Sequence, residues 1–291
     1  MMYNYDRGPL PYTDLAVERG RADLNAEGVE YERVSSGEFC WERLRITSAA
    51  GERSFGRPRG SYHTLNTERM DMLDGQSVSD AADEISRELR RMISALGIKR
   101  ERILVVGLGN RSLTSDSLGC LTCDRIKPTR HIKEYDEGLF YTLNCSEISV
   151  ITPGVKAKTG LDSTDVVAAI CKQIHPDLVI VIDAIATSSY ERLGSTVQIT
   201  DTGICPGSGL FNHDKAIDRT TLGTPVISVG VPTVIDARML YLDGVGNGNI
   251  QNPDRIPSPS MLVSPKEIDE IVNYSSQIIA NAINKGFGIY Q

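Results

Sequence analysis

One short apolar run most constrains how this chain can fold. Residues 178–182 are five consecutive aliphatic side chains, rich in β-branched types, and the run ends directly on Asp183. Such a run predicts a parallel strand that is covered on both faces. Because open α/β sheets bind ligands beyond the carboxyl ends of their strands, Asp183 is the first candidate for chemistry. The alternative is that Asp183 only caps or hydrogen-bonds the next turn.

Helices and further strands surround this run. Residues 103–106 form a second buried run, followed by a glycine turn and, near Asp116, by the start of a helix. Residues 162–174 have the apolar periodicity of a helix and lead into the 178–182 strand. Alternation of strands and helices is typical of a parallel sheet with helices on its faces. We therefore predict a single three-layer α/β domain over residues 15–291, with a mainly parallel central sheet flanked by helices.

Other elements are predicted outside these units. Residues 39–47 alternate well enough to form a strand, and residues 77–96 have the pattern of a long amphipathic helix. A C-terminal helix is predicted to begin at a capping box, with Ser264 as N-cap, Pro265 in the first helical position and Glu267 two residues later.

The composition bounds the class of protein. The chain has 291 residues, 40% of them hydrophobic and 24% charged, with a net charge of -7, as in ordinary globular proteins. The negative charge argues against a nucleic-acid-binding surface. The sequence contains neither an apolar run of the roughly 20 residues that span a bilayer nor a signal-peptide pattern. We therefore expect a cytoplasmic protein with neither nucleic acid nor membrane as a direct partner.

Common catalytic and cofactor motifs are missing from the sequence. It contains no G-x-S-x-G, no H-E-x-x-H and no P-loop. The dinucleotide fingerprint fails after residue 109, because Ser112 stands where its third glycine should be. Cys120 and Cys123 have C-x-x-C spacing, but a second ligand pair is lacking, so the spacing favours packing over a zinc or redox site. No cofactor and no metal are predicted.

Two carboxylates remain as candidates for chemistry. Asp116 and Asp183 each follow a buried strand, and parallel strands would bring them to the same edge of the sheet. Two carboxylates that meet in a cleft of low dielectric share one proton. One could then activate a water while the other protonates a leaving amine, which is hydrolysis without a metal. Alternatively, Asp116 is only the N-cap of the helix that follows.

Several longer stretches resemble, in the same order, those of one protease family. The chain is similar over nearly its whole length to the germination protease (spore endopeptidase) family. The matching stretches are 12–18 (YTDLAVE), 105–110 (VVGLGN), 129–131 (TRH), 152–155 (TPGV) with 159–160 (TG), 201–204 (DTGI) with 206–209 (PGSG), 230–234 (GVPTV) and 263–270 (VSPKEIDE).

The resemblance implies a function and a fold. It implies a cytoplasmic, aspartic-type endopeptidase of the spore core that degrades small acid-soluble DNA-binding proteins during germination. It further implies a fold like that of hydrogenase maturation proteases, a homotetramer, and catalytic aspartates at the positions of Asp116 and Asp183.

The resemblance also implies synthesis as a zymogen. The family's processing point falls beside Asp14 and Leu15, so residues 1–14 would be a removable leader that blocks or distorts the cleft. Their polar, turn-rich composition fits a loosely held segment. A possible substrate loop would follow, consisting of Gly203, Pro206, Gly207, Ser208 and Gly209.

The chain departs from the family pattern around both aspartates. Ser115, Ser117 and Cys120 stand where the family typically has Pro, Ala and Pro, and residues 187–189 lack an arginine that usually follows the second Asp. Two other functions therefore stay open. One is a small-molecule hydrolase or phosphorylase-like enzyme that holds an anion at residues 206–209, and the other is a catalytically inactive relative that acts as a binding module.

Overall fold

One mixed sheet runs through the computed structural model, which describes residues 13–19, 24, 26–206, 215–237, 239–240 and 261–289. The strands are β1 Val29–Ser36, β2 Phe39–Ile46, β3 Gly60–Asn66, β4 Arg102–Gly107, β5 Glu147–Ile151, β6 Leu178–Thr187, β7 Thr196–Thr200, β8 Val226–Asp236 and β9 Leu262–Val263. Their order in the sheet is β1-β2-β3-β7-β8-β6-β4-β5, and β9 pairs with β8.

Ten helices whose bounds lie wholly within the described residues connect and cover these strands. They are α1 Ala16–Arg19, α2 Ala49–Phe55, α3 Gly75–Ala95, α4 Leu118–Arg125, α5 Arg130–Tyr135, α6 Glu137–Leu143, α7 Lys156–Thr159, α8 Ser163–Ile174, α9 Arg219–Leu222 and α10 Ile268–Gly286. Short 3-10 helices lie at Met70–Met72, Thr114–Asp116 and Tyr190–Arg192.

The predicted α/β class, a single sheet flanked by helices, is confirmed. Parallel pairing joins β5, β4, β6 and β8. The rest of the sheet is antiparallel: β7 continues from β8 and is followed by β3, β2 and β1. The prediction of a mainly parallel centre therefore holds for the four strands that surround Asp183. It did not foresee the length of the antiparallel extension, since β1 has no buried residue and therefore no buried apolar run.

Two long helices cover one face of the sheet. Helix α3 begins where the Asp74 side chain accepts a hydrogen bond from the Ser77 amide, at 2.8 Å. Its apolar face and that of α10 join a single core with residues from strands of both the parallel and the antiparallel part. Helix α10 corrects one prediction, because it begins at Ile268 and not at the predicted Ser264 capping box. Residues 265–267 instead form a turn that the Ile268 amide closes on the Pro265 carbonyl.

The opposite face of the sheet is covered in two separate places. Helix α8 packs on alternate residues of β4 and β6, among them Val106 and Val181. The segment around Leu15 and helix α2 pack on the antiparallel part against Leu44 and Tyr62. Because side chains alternate along a strand, Asp183 points to the same face as Val181, between these two covers. Neither among these ten helices nor elsewhere in the described ranges is a helix long and apolar enough to cross a membrane.

Candidate active site

Asp183 lies inside strand β6 and is buried. The sequence predicts it at the strand's end, but β6 continues to Thr187 and pairs Asp183 with Gly230 of β8. The Asp183 carboxylate accepts a 2.9 Å hydrogen bond from the amide of Ala184, which belongs to the same strand, so it does not cap a turn. The residue is only 6% exposed. Burial raises the pKa of Asp183 well above its ordinary value, and the negative charges of Asp116 and Asp14 raise it further.

Asp116 lies at the end of the 3-10 helix that follows β4. Its carbonyl and its Oδ2 both accept hydrogen bonds from the Asn110 amide, each at 2.9 Å. Gly109 permits this close approach, because it has φ +101° and a Cβ there would lie 2.0 Å from the Asp116 carbonyl oxygen. The N-cap of α4 is Ser117, so Asp116 is not the cap residue. Burial raises the pKa of Asp116, and the Asn110 hydrogen bond opposes that rise.

The loop that carries Asp116 packs directly on the backbone of β6. The Leu108 amide donates to the Ile182 carbonyl at 2.9 Å, one residue before Asp183. On the other side of the loop, a Cβ on Gly119 would lie 2.5 Å from the same Ile182 oxygen, so only glycine fits there. The two carboxylates thus interact electrostatically in a largely buried setting. Such a pair can retain a proton at a pH where an isolated aspartate is ionised, as general acid–base catalysis requires.

A third carboxylate, Asp14, lies close by. The Asp14 amide donates to the Ala186 carbonyl, and the Ala186 amide donates to Asp14 Oδ2, both at 2.9 Å. The Gln198 side chain donates to the Asp14 carbonyl at 3.1 Å. Leu15, the next residue, is fully buried. The family resemblance implies a processing point at Asp14 and Leu15, but no local pattern in the sequence indicates that Asp14 pairs with the strand of Asp183.

A cleft of about 270 Å³ opens beside Asp14, on the face of the sheet to which Asp183 points. Gly203 lines it, and its carbonyl accepts a 3.1 Å hydrogen bond from Ser228 of β8. Pro206 follows shortly after, whereas Gly207, Ser208 and Gly209 of the possible substrate loop lie outside the described residues. Other lining residues include Arg57, Tyr62, Ile185, Thr200 and Cys205.

A buried carboxylate that the sequence analysis did not single out joins α1 to the end of β6. The Glu18 side chain is 1% exposed. It accepts hydrogen bonds from the Thr187 hydroxyl at 2.5 Å and from both the amide and the hydroxyl of Ser188 at 2.7 Å. The Thr13 hydroxyl also donates to it. Glu18 thereby ties the segment around Asp14 to the strand that carries Asp183. Glu18 lies in the 12–18 stretch that resembles the germination protease family, and this resemblance is the sequence signal that could have singled it out.

The C-x-x-C pair lies buried in α4. Cys120 and Cys123 are free thiols, and burial raises the pKa of Cys123 to about 12, which makes it a poor nucleophile and ligand. Within the part of the chain that the structure describes, no three His, Cys, Asp or Glu side chains are grouped as a metal site would need.

Comparison with known proteins decides the family. A profile described as germination protease matches residues 13–246. The chain belongs to the germination protease family. Similar proteins include the germination proteases of Clostridium perfringens, 33% identical over 94% of this chain and 93% of that protein, and of Caldanaerobacter subterraneus subsp. tengcongensis, 33% identical over 94% and 92%. The germination protease of a Geobacillus species is 39% identical over 67% of this chain and 52% of that protein.

Membership implies a peptidase, that is, a peptide-bond hydrolase, with a role in spore germination. Among solved structures, a [NiFe] hydrogenase maturation protease, HycI, from Thermococcus kodakarensis is similar with a TM-score of 0.37 and 19% identity, covering 68% of this chain and 99% of that one.

Proposed function

We propose that the chain is an aspartic-type endopeptidase in which Asp116 and Asp183 together activate a water. The observation that supports this most is the raised pKa of buried Asp183 beside the charge of Asp116. In the proposed reaction, ionised Asp116 takes a proton from the water, whose oxygen attacks the scissile carbonyl carbon. Protonated Asp183 then donates its proton to the leaving amine as the C–N bond breaks. The proton on Asp116 passes back to Asp183 to restore the starting state.

This division of roles follows from the surroundings of the two carboxylates. Asp183 is the more deeply buried and has the strongly raised pKa, so it holds the proton. The Asn110 amide donates to Asp116 and favours its ionised form. Asp116 is therefore the base and Asp183 the acid at the start of the cycle.

The proposed substrates are small acid-soluble DNA-binding proteins of the spore, cleaved in the cytoplasm of the spore core by a homotetramer. Membership of the germination protease family supports a protein substrate of the spore. No described feature favours the small-molecule hydrolase, since Gly207, Ser208 and Gly209 of its anion loop lie outside the described residues.

We further propose that residues 1–14 are a leader and that the enzyme cleaves its own Asp14–Leu15 bond to leave a domain of residues 15–291. The hydrogen bonds between Asp14 and Ala186 support this, because they hold the bond three residues along β6 from Asp183. Thr13 and Asp14 occupy the site's immediate surroundings, so the leader would inhibit by covering the cleft. Self-cleavage should be faster at mildly acidic pH, where the protonated pair is more populated.

One experiment tests both proposals. Full-length wild-type protein, Asp116→Asn and Asp183→Asn are incubated from pH 5 to 8, alone and with a purified small acid-soluble spore protein, and new N-termini are sequenced. Each substitution should reduce both cleavages by at least about 1000-fold, because it removes the acid or the base. Asp177→Asn is the matched control. Asp177 directly precedes β6, at the end of the strand away from Asp183, and pairs there with Arg102 at 2.9 Å. The Asp177→Asn variant should therefore cleave at the wild-type rate.

Two outcomes would contradict the proposal. Trimming of Asp183→Asn at the wild-type rate would mean that another protease matures the chain. Loss of folding in Asp116→Asn or Asp183→Asn, judged by circular dichroism, would show that the carboxylates serve the structure and not the reaction.

A further inference from the structure

Strand β8 contains an irregularity next to the aspartate pair. In its parallel register with β6, Pro232 lies opposite Ile185 but Val234 lies opposite Ala186, so Thr233 is an extra residue. Such a bulge turns the side chain of the extra residue away from the regular alternation, and bulges are common beside active sites. Pro232, directly before the extra residue, is held in place because its carbonyl accepts a 2.8 Å hydrogen bond from the Gly194 amide.

The bulge aims the Thr233 hydroxyl at the turn that carries Asp116. The hydroxyl donates a 2.6 Å hydrogen bond to the carbonyl of Ser115, the residue directly before Asp116. Thr233 is 1% exposed, so this bond is shielded from water. If the hydroxyl were removed, no solvent molecule could take its place as the hydrogen-bond donor to the Ser115 carbonyl. It joins strand β8 to a turn that is 118 residues away in sequence.

Within the described residues, the other hydrogen bonds of this turn are local. The Asp116 amide donates to Leu113, the Asn110 amide donates to Asp116, and the Ser117 hydroxyl and amide both donate to Thr114. These bonds shape the turn itself, and the Leu108 amide fixes the start of the loop on β6, eight residues before Asp116. The bond from Thr233 fixes the residue next to Asp116 on β8, which is the direct neighbour of β6 and of Asp183.

We propose that Thr233 is a positioning residue, which holds Asp116 at its working distance from Asp183 through the Ser115 carbonyl. The inference rests on the proposed function of the aspartate pair. The Thr233 hydroxyl donates to the Ser115 carbonyl and not to a carboxylate, so its effect passes through the placement of the turn. Small displacements of a catalytic group lower the rate of the chemical step more than they weaken substrate binding.

The test compares three variants with the full-length wild-type chain. Thr233→Val keeps the shape of the side chain and removes the hydroxyl, and Thr233→Ser restores a hydroxyl. Thr129→Val is the control for lost stability, since the buried Thr129 hydroxyl also donates at 2.6 Å to a carbonyl, that of Ser146, before β5 at the opposite edge of the parallel strands. It is a stringent control, because the same hydroxyl also accepts a 2.8 Å bond from the Ile148 amide, which Val removes as well. For a purified small acid-soluble spore protein, kcat should fall about 10- to 100-fold in Thr233→Val with KM within about threefold. Thr233→Ser should recover most of the rate, and Thr129→Val should keep kcat.

A second readout does not depend on turnover. The carboxyl carbon of Asp183 is titrated by NMR in wild type, Thr233→Val and Thr129→Val. Burial raises the pKa of Asp183 most, and the charges of Asp116 and Asp14 raise it further. If Asp116 moves away in Thr233→Val, the pKa of Asp183 should fall toward its ordinary value, while Thr129→Val should leave it unchanged. If Thr233→Val does not fold, Thr233→Cys replaces it, because a thiol is a weaker hydrogen-bond donor than a hydroxyl. In that variant, too, kcat and the pKa of Asp183 should both fall.

The outcomes separate this inference from the function on which it rests. Wild-type kcat and an unchanged Asp183 titration in Thr233→Val, with Asp116→Asn inactive, would overturn the positioning role alone. Wild-type cleavage by Asp116→Asn would overturn the proposed function itself. A kcat loss in Thr233→Val that Thr129→Val reproduces would mean that Thr233 contributes only general stability.

Discussion

At the scale of single residues, Asp183 is a buried acid whose ionisation opposes folding. Its pKa is raised in the native state by burial and by the charges of Asp116 and Asp14, whereas an aspartate in the unfolded chain has a pKa of about 3.9. The native state therefore binds the proton more tightly. The resulting stability is complete below about pH 4 and is lost as the pH rises through the raised native pKa.

This pH dependence of the stability gives a prediction for Asp183→Asn. The variant cannot ionise, so its free energy of unfolding should exceed that of the wild type at pH 7, and the difference should vanish near pH 4. Urea unfolding between pH 4 and 8 measures it. Asp177→Asn is a control in which the free energy of unfolding should change in the opposite direction. Burial raises the pKa of Asp177, but the bonds to Arg102 outweigh that effect and lower it, so the variant should be less stable than the wild type at pH 7. A less stable Asp183→Asn at pH 7 would show that the carboxylate makes net favourable contacts.

Part of the candidate site could be foreseen from the sequence at this scale. Asp116 and Asp183 could be selected because each follows a buried apolar run, which is a local pattern. The contact of Asp14 with Ala186 spans 172 residues, and that of Thr233 with Ser115 spans 118. A bulge and a long-range side-chain bond leave no periodicity in the sequence, so these contacts required the three-dimensional structure.

At the scale of elements, one carboxylate joins helix α3 to strands β2 and β3. Glu88 of α3 is 3% exposed at its side chain, and it accepts bonds from Arg43 Nε and Nη2 at 2.8 and 2.9 Å. His63 Nδ1 lies 2.6 Å from it. Burial alone would raise the pKa of Glu88, but the bonds and charges of His63 and Arg43 outweigh it and lower the pKa to about 2.

Glu88→Gln should therefore destabilise the protein at neutral pH. The native pKa lies below the unfolded one, so the stability is present above about pH 4.5 and is lost as the pH falls through about 2. A shift of this size corresponds to roughly 2–4 kcal/mol at pH 7. Urea unfolding should show this loss, and the gap to wild type should narrow as the pH falls from 5 to 2.

Glu32→Gln is the matched control for that change. Glu32 bonds the same Arg43 at 2.9 Å, but its side chain is 60% exposed, so its loss should cost less than about 1 kcal/mol. Equal losses from Glu32→Gln and Glu88→Gln would contradict the role assigned to burial.

The elements differed in how well the sequence predicted them. Helix α3 was predicted because its apolar periodicity is strong, and the buried part of β6 because its apolar run is unbroken. Strands β1 and β3 were missed, since polar side chains dominate them and their pairing is set by the neighbouring strands. The start of α10 was misplaced because a turn and a capping box share the same residue types.

At the scale of the whole molecule, the parallel and antiparallel parts of the sheet share one core. Trp41 and Leu65 from the antiparallel part belong to the same buried cluster as Ile103 and Ile180 from the parallel part. The sheet is also continuous, because β8 pairs with β6 on one side and β7 on the other. Neither part can lose its packing without exposing apolar surface of the other. The two parts should therefore unfold together.

The sequence provides a separate probe for each part. The chain has a single tryptophan, Trp41, which is 1% exposed on β2 and donates to Glu84 at 3.2 Å. Cys123 is buried on α4 beside the parallel strands, and its pKa of about 12 keeps it unreactive while it stays folded. Tryptophan fluorescence reports on the antiparallel part, and thiol labelling of Cys123, located by mass spectrometry, reports on the parallel part.

We expect both probes and far-UV circular dichroism to give the same urea midpoint at one fixed protein concentration. The concentration must be fixed because a homotetramer would gain stability by mass action. Labelling of the exposed Cys205 is the control, since it should proceed before unfolding. A fluorescence midpoint clearly below that of Cys123 labelling would mean that the antiparallel part unfolds first. The aspartate pair would then lie on a unit that is stable without the β1–β3 extension, and the shared core would not couple them.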